Sequence, residues 1–81
     1  MIDIERLLAD AVAQVTGVDP GSLVQDASMA DLGVDSLDVL EAMMIVEAEC
    51  GIVIDSDQLR EATTFGEIIA VLDSLVQSTR R

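Results

Sequence analysis

The sequence predicts an all-α fold, a small helical bundle of three longer helices plus one short helix, with a long loop between helices one and two. Three observations predict it. Apolar residues recur at spacings of three and four in the first, middle and last parts of the chain, as on one face of an amphipathic helix. Glycines and N-cap residues stand at the ends of these runs. No stretch shows the period-two alternation that is typical of a half-buried strand.

The first helix is predicted by an apolar stripe that ends at Gly17. The stripe consists of Ile4, Leu7, Leu8, Ala11, Val12 and Val15. Between residues 18 and 35 the periodicity gives way to turn formers, so we expect a long loop that Leu23, Met29 and Leu32 pin to the core. Loops of this length in a compact domain are usually functional.

The second helix is predicted from about Ser36 to Cys50, with Asp35 or Ser36 as its N-cap and Gly51 at its end. Its apolar residues do not all share one side. On a helical wheel the core side is predicted to carry Val39, Leu40, Met43, Val46 and Cys50. One acidic residue, Glu47, falls on that side too, and the pattern leaves open whether it reaches solvent or is partly buried.

Two more helices are predicted in the last third of the chain. The stretch "IDSDQLREA" indicates a short helix capped by Asp55 or Ser56. The stretch "TTFGEIIAVLDSLVQS" indicates the final helix, in which Thr64 and Glu67 have the spacing of a capping box. Its expected buried stripe is Phe65, Ile68, Ile69, Leu72, Leu75 and Val76. The last two residues, an arginine pair, are expected to fray.

Size and charge restrict the function. With 81 residues, the chain is predicted to form one domain over residues 1–81, too small for a broad catalytic cleft. Sixteen acidic residues against four arginines give a net charge of −12, which repels nucleic acid and anionic membranes and attracts basic protein surfaces. The start of the chain fits neither a signal peptide nor a membrane span. We therefore expect a monomer that docks with proteins.

The chain has one cysteine and no histidine, which excludes an internal disulfide and a cysteine metal cluster. A cytoplasmic location is expected. Neither a catalytic residue nor a metal site is expected. A calcium-binding domain is disfavoured, because Asp31, Asp35 and Asp38 are too widely spaced for one chelating loop.

Two features of the second helix indicate a possible function. Its acidic side carries Asp38, Glu41 and Glu49, with Ile45 among them and Leu37 and Met44 at the edge. This mixture is typical either of a docking face or of an ordinary solvated helix.

The other feature is the Ser36 hydroxyl, which has three possible roles. As a nucleophile it lacks a histidine or lysine base and the G-x-S-x-G spacing. As a helix cap it would be ordinary, and the residues alone favour that role. As the substrate of a modifying enzyme it would present its oxygen at a helix N-terminus, where an anion is favoured.

The stretch "DLGVDSLDVLEAMMIVEAECGIVI" resembles the signature of the acyl carrier protein family, and the length, acidity and helix order resemble that family across the chain. The resemblance implies a discrete, type II-like carrier that is not an enzyme. In such a carrier a phosphopantetheinyl transferase attaches 4′-phosphopantetheine to Ser36. The thiol of that group then holds acyl thioesters for acyltransferase, ketosynthase and other enzymes of fatty acid or polyketide pathways.

The resemblance also implies two sets of binding residues. Partner enzymes with basic patches would contact Asp35, Leu37, Asp38, Glu41, Met44 and Ile45. An acyl pocket would be lined by Leu40, Met43, Val46, Ile54 and Ile69. Departures from the usual pattern at Ala30, Ala48, Cys50-Gly51 and Asp55 leave the pathway open. An unmodified acidic helical adaptor, in which Ser36 is only a cap, is the alternative.

Overall fold

The computed structural model describes residues 3–79, apart from the side chains of residues 56, 78 and 79. It confirms the predicted helical bundle. The three longer helices are α1 (Ile4–Thr16), α2 (Ser36–Cys50) and α3 (Phe65–Thr79). The predicted short helix is a single 3-10 turn, Ser56–Leu59, which Asp55 caps. The expected frayed end, Arg80 and Arg81, lies outside the described residues.

Local capping interactions set the helix ends. The Asp3 carboxylate accepts a hydrogen bond from the Arg6 N–H and begins α1. Gly17 ends α1 and Gly51 ends α2, each with a positive φ (78° and 68°) that only glycine adopts at little cost. The two glycine ends are where the sequence predicts them, because capping depends on neighbouring residues alone.

The core lies where the three helices meet. Leu8 of α1, Val46 of α2 and Leu72 of α3 are completely buried, and so is Phe65, the one aromatic residue of the chain. The predicted stripe of α3 is buried over its first two turns, while Leu75 and Val76 near its end are half-buried. Burying these side chains is the main favourable term in folding a domain of this size.

The long loop between α1 and α2 is pinned to the core, as predicted. Leu23 and Met29 are buried and Leu32 is half-buried. Two features were not predicted from the sequence: Val34 is also buried, and Pro20–Ser22 forms a 3-10 turn. Apolar side chains of the loop thus pack into the core at several points. This packing fixes the position of the last loop residues, just before α2.

Backbone hydrogen bonds join this loop to the start of α3. The Met29 N–H donates to the Thr63 carbonyl (3.0 Å), the Phe65 N–H to Ala27 (2.9 Å) and the Gly66 N–H to Gln25 (3.0 Å). Ser28 and Thr64 form an isolated antiparallel bridge there, and the described residues contain no strand. A Cβ at position 66 would lie 3.0 Å from the Gln25 carbonyl oxygen, so glycine permits this close approach.

The capping box of α3 is formed as predicted. The Thr64 hydroxyl accepts from the Glu67 N–H (3.2 Å), and Glu67 Oε1 accepts from the Thr64 N–H (3.0 Å). The same oxygen also accepts from the backbone N–H and the hydroxyl of Thr63. Hydrogen bonds from the backbone of Thr63, then Thr64, and from their hydroxyls lower the pKa of Glu67 from 4.5 to about 2.

This pKa makes the contribution of Glu67 to stability depend on pH. Because the folded state depresses the pKa, the contribution is complete above pH 4.5 and is lost as the pH falls towards 2. We expect Glu67→Gln to be less stable than the wild type at pH 7. The difference should shrink between pH 4.5 and pH 2. The measurement is urea unfolding followed by circular dichroism across that range.

The matched control is Glu61→Gln, which makes the same charge change at an exposed position close in sequence. Its difference from the wild type should stay small at every pH. A Glu67→Gln deficit that is equal at pH 7 and pH 2.5 would contradict the capping role of the ionised carboxylate.

Candidate functional site

Ser36 is the first residue of α2, and the cap of that helix is Asp35. Asp35 Oδ1 accepts from the Asp38 N–H (2.9 Å), and Asp38 Oδ2 accepts from the Asp35 N–H (3.3 Å). The two carboxylates therefore form a reciprocal capping box. Ser36 is exposed, and its hydroxyl has no hydrogen-bond partner within the described part of the chain. The cap role that the residues alone favoured for Ser36 belongs to Asp35.

A tight turn before α2 fixes this placement. Gly33 adopts a positive φ of 77°, and its N–H donates to the Ala30 carbonyl (3.1 Å). The Val34 N–H donates to the Met29 carbonyl (2.9 Å), and the Val34 side chain is buried. Val34 thus anchors the chain two residues before Ser36, which leaves the serine at the surface.

The six residues predicted to contact partner enzymes lie at the N-cap of α2 and in its first three turns. Leu37 and Met44 are 62% and 66% exposed. Asp35 and Glu41 are exposed as well. The other two, Asp38 and Ile45, are half-buried. Apolar and acidic side chains therefore share an accessible surface next to Ser36, with Ile45 contributing the least because it packs against the core.

The core side of α2 differs from the helical wheel in two places. Leu40, expected on the core side, is 42% exposed, whereas Ala42, which was not expected there, is completely buried. The reason is tertiary. A cleft opens beside Leu40, so no neighbouring element covers it, while α1 packs against the side of α2 that carries the buried residues.

The cleft has a volume of about 430 Å³, and Ser36 is one of its lining residues. Three segments form its walls: residues 28–34 of the loop, the first turns of α2, and residues 57–63 around the second 3-10 turn. Its apolar lining includes Met29, Val39 and Leu59. A cavity of this size and lining suits a flexible small molecule.

The structure places the five residues predicted for an acyl pocket in different surroundings. Leu40 lines the cleft. Met43, Val46 and Ile69 are buried in the packed core, and Ile54 is half-buried against it. The sequence did not predict that the other lining residues form a cleft. They come from three separate segments, and no local sequence pattern indicates that these segments lie close together.

Glu47, the acidic residue on the core side of α2, is partly buried and hydrogen-bonded. Its side chain is half-buried, and Oε2 accepts a hydrogen bond from the Ile54 N–H (2.7 Å). Glu47 thus connects the last turns of α2 to the segment that follows Gly51. This contact explains how an acidic residue occupies the apolar side of the helix.

Other potential chemistry at the site is limited. Cys50 is a half-buried thiol, and burial followed by the Glu49 charge raises its pKa, so it stays protonated. Among the described residues, no group of three or more acidic, cysteine or histidine side chains is placed to hold a metal ion. Over residues 3–79, no helix combines the length and apolar character needed to cross a bilayer.

Comparison with known proteins gives consistent relatives. The family model described as "Phosphopantetheine attachment site" matches residues 6–72. The acyl carrier protein of Zymomonas mobilis subsp. mobilis is 34% identical over 74 residues, which is 90% of this chain and 95% of that protein. An acyl carrier protein of Porphyromonas gingivalis is 35% identical over the same shares. The non-reducing polyketide synthase tazA of Aspergillus terreus is 27% identical over 82% of this chain and 3% of its own length.

The hydrogen bond of Glu47 generates a prediction about the end of α2. Glu47→Ala leaves the Ile54 N–H without an acceptor, so we expect a loss of about 1–3 kcal/mol in the free energy of unfolding. Glu47→Gln keeps an acceptor oxygen and should lose less. Urea unfolding at pH 7 measures both.

Glu49→Ala is the matched control, because Glu49 is exposed, lies on the same turn of α2 and carries the same charge. It should change stability by less than about 0.5 kcal/mol. Equal effects of the two alanine variants would mean that charge, and not the bond to Ile54, accounts for the loss.

Proposed function

The chain belongs to the acyl carrier protein family, and on that premise we propose that Ser36 is the residue that carries 4′-phosphopantetheine. The observation that supports this proposal is the exposed Ser36 hydroxyl, which the Asp35 cap leaves without a partner in the described chain. Proteins of this family are carriers and not catalysts. When attached, the group supplies a terminal thiol that holds an acyl chain as a thioester.

The start of α2 suits a phosphodiester. Backbone N–H groups and the positive end of the helix dipole favour an anion on the first residue of a helix. Asp35 and Asp38 oppose a second negative charge there, although each already accepts a hydrogen bond from the other's N–H. A diester carries one charge, whereas a phosphate monoester carries nearly two, so the diester is the better fit.

The transfer itself needs a base from outside the chain. In that step the Ser36 oxygen forms a bond to the β-phosphorus of coenzyme A, and adenosine 3′,5′-bisphosphate leaves. The serine proton must go to a base; this chain has neither histidine nor lysine, and the neighbouring carboxylates of Asp35 and Asp38 accept hydrogen bonds in the capping box. The base is therefore supplied by the phosphopantetheinyl transferase, for which the carrier is a substrate.

We define the docking face as Asp35, Leu37, Asp38, Glu41, Met44 and Ile45. On this proposal it binds the transferase and, after loading, acyltransferase, ketosynthase and other acyl-processing enzymes with basic patches. Its carboxylates would speed the encounter by attraction, and its few exposed apolar side chains would keep the contact small and short-lived. Such exchange suits a carrier that visits several enzymes in turn.

Fatty acid and polyketide pathways are both consistent with the relatives, whose names include acyl carrier proteins and a polyketide synthase. We propose that residues 1–81 act as one carrier domain and as a monomer. The cytoplasm is the proposed compartment, because the free Cys50 thiol fits a reducing environment. The proposed acyl site combines the cleft beside Ser36 with the predicted residues Leu40, Met43, Val46, Ile54 and Ile69.

The attachment residue is tested by intact mass. After incubation with coenzyme A, Mg²⁺ and a broad-specificity phosphopantetheinyl transferase, the wild type should gain one phosphopantetheine. Ser36→Ala should gain none, because it lacks the oxygen that forms the ester.

Ser28→Ala is the matched control, since Ser28 lines the same cleft and the substitution also replaces a serine hydroxyl with hydrogen. It should be loaded fully. No gain in the folded wild type, with the transferase active on another carrier, would favour the unmodified adaptor instead.

The docking face is tested by charge reversal. Glu41→Lys should lower the kcat/KM of loading about tenfold at low ionic strength, because it removes attraction to a basic patch near Ser36. Raising the salt to 0.5 M should shrink the difference.

Glu49→Lys makes the same charge change on an exposed residue of α2 two turns further from Ser36. It should lower kcat/KM much less. Equal effects of the two variants would mean that net charge matters and the position does not.

A further inference from the structure

One basic side chain of the described residues, that of Arg60, lines the cleft beside Ser36. Arg6 and Arg60 are the basic side chains of the described residues, and Arg60 is the one that lines the cleft. It lies just after the second 3-10 turn, on the wall that faces the start of α2. A guanidinium in a cleft with an apolar lining is a hydrogen-bond donor available to whatever enters.

The Arg60 guanidinium is only partly engaged. Its Nη2 lies 2.9 Å from Asp57 Oδ1, and the two side chains are 78% and 71% exposed. An ion pair so exposed is weak. The bond to Asp57 uses one of five N–H donors, so the others remain for a second acceptor within this part of the chain.

The charges of the lining indicate the kind of acceptor. Among the described residues, two acidic side chains (Asp35 and Asp57) and one arginine line the cleft, which gives the lining an excess of one negative charge. An anionic group would add to that excess, and to the net charge of −12 of the whole chain. A neutral carbonyl oxygen accepts from the guanidinium without adding charge.

The hydrocarbon part of an occupant has matching surroundings. Met29, Val39 and Leu59 provide apolar contacts along the same cleft. A purely hydrocarbon chain would gain those contacts but offers no acceptor to the exposed guanidinium, whose free N–H groups donate hydrogen bonds to water. A chain that carries a carbonyl oxygen replaces one of them.

We propose that Arg60 determines specificity, by selecting acyl chains with a neutral carbonyl oxygen beyond the thioester over saturated chains of the same length. This inference rests on the proposed function, since the chain reaches the cleft from its attachment at Ser36. Attachment makes the contact intramolecular, so a hydrogen bond too weak to bind a free ligand is sufficient. The substrate class is the oxo-acyl thioester.

The test compares matched acyl forms of the full chain. The wild type, Arg60→Gln and Arg6→Gln are each prepared with phosphopantetheine alone, with its hexanoyl thioester and with its 5-oxohexanoyl thioester. The wild type is also prepared with the glutaryl thioester. Nuclear magnetic resonance then follows the Arg60 Nε–H signal and the methyl signals of Met29 and Leu59. Arg6→Gln is the control, because it makes the same charge change on the exposed surface of α1.

All shifts are measured from the chain without phosphopantetheine. In the wild type, the 5-oxohexanoyl form should shift the Arg60 Nε–H signal further than the hexanoyl form does. It should also raise the ratio of inserted to free chain, read from the methyl signals, about fivefold, as one net hydrogen bond supplies. Arg60→Gln should remove that difference between the two chains. Arg6→Gln should keep it.

Three results would overturn the proposal. The two chains could give the same shifts. The phosphopantetheine form without an acyl group could shift the Arg60 signal as much as the oxo chain, which would assign the contact to the arm. A glutaryl form could shift it more, which would assign it to negative charge. Failure of the wild type to load at all would instead overturn the proposed function, and mass spectrometry before the experiment distinguishes that outcome.

Discussion

The reciprocal hydrogen bonds between Asp35 and Asp38 are the interaction on which the site depends. They satisfy N–H groups that the first turn of α2 leaves without partners, and they do so without the serine between them. Had Ser36 been the cap, its hydroxyl would have been committed to the backbone. Because Asp35 has that role, Ser36 stands on the first turn of the helix with its oxygen exposed. The same two carboxylates also belong to the proposed docking face, so one local motif sets both the start of the helix and its charge.

The junction between the long loop and α3 gives the cleft its form. Three backbone hydrogen bonds hold residues 25–29 against residues 63–66, and Glu67 fixes the turn at Thr63 and Thr64. Phe65 fills the core directly behind this junction. The loop wall and the 57–63 wall of the cleft are therefore positioned together. The remaining wall, the start of α2, is anchored separately by the buried Val34.

The composition of the chain indicates a division of roles, in which the carrier presents groups and its partners perform the chemistry. A chain without histidine or lysine has few groups that take up a proton near neutral pH, and its Cys50 thiol has a raised pKa. What it offers is an exposed hydroxyl, an acidic and apolar surface beside it, and a cleft. Bond-making chemistry then falls to the enzymes that dock. Arg60, which lines the cleft, is consistent with this division, since on our proposal it recognises a chain and does not react with it.

The sequence by itself determined the three longer helices, the glycines that end α1 and α2, and the capping box of α3, whereas the role proposed for Ser36 came from the family resemblance. Caps and glycine ends depend on residues within four positions of each other, so Gly17, Gly51 and the pair of Thr64 and Glu67 were predictable from local sequence. Only the tertiary structure decided which side of α2 is covered, which exposes Leu40 and buries Ala42. It also decided the bond from Ile54 to Glu47 and the place of the cleft. Those features require segments distant in sequence to meet, and the periodicity of one helix carries no information about its neighbours.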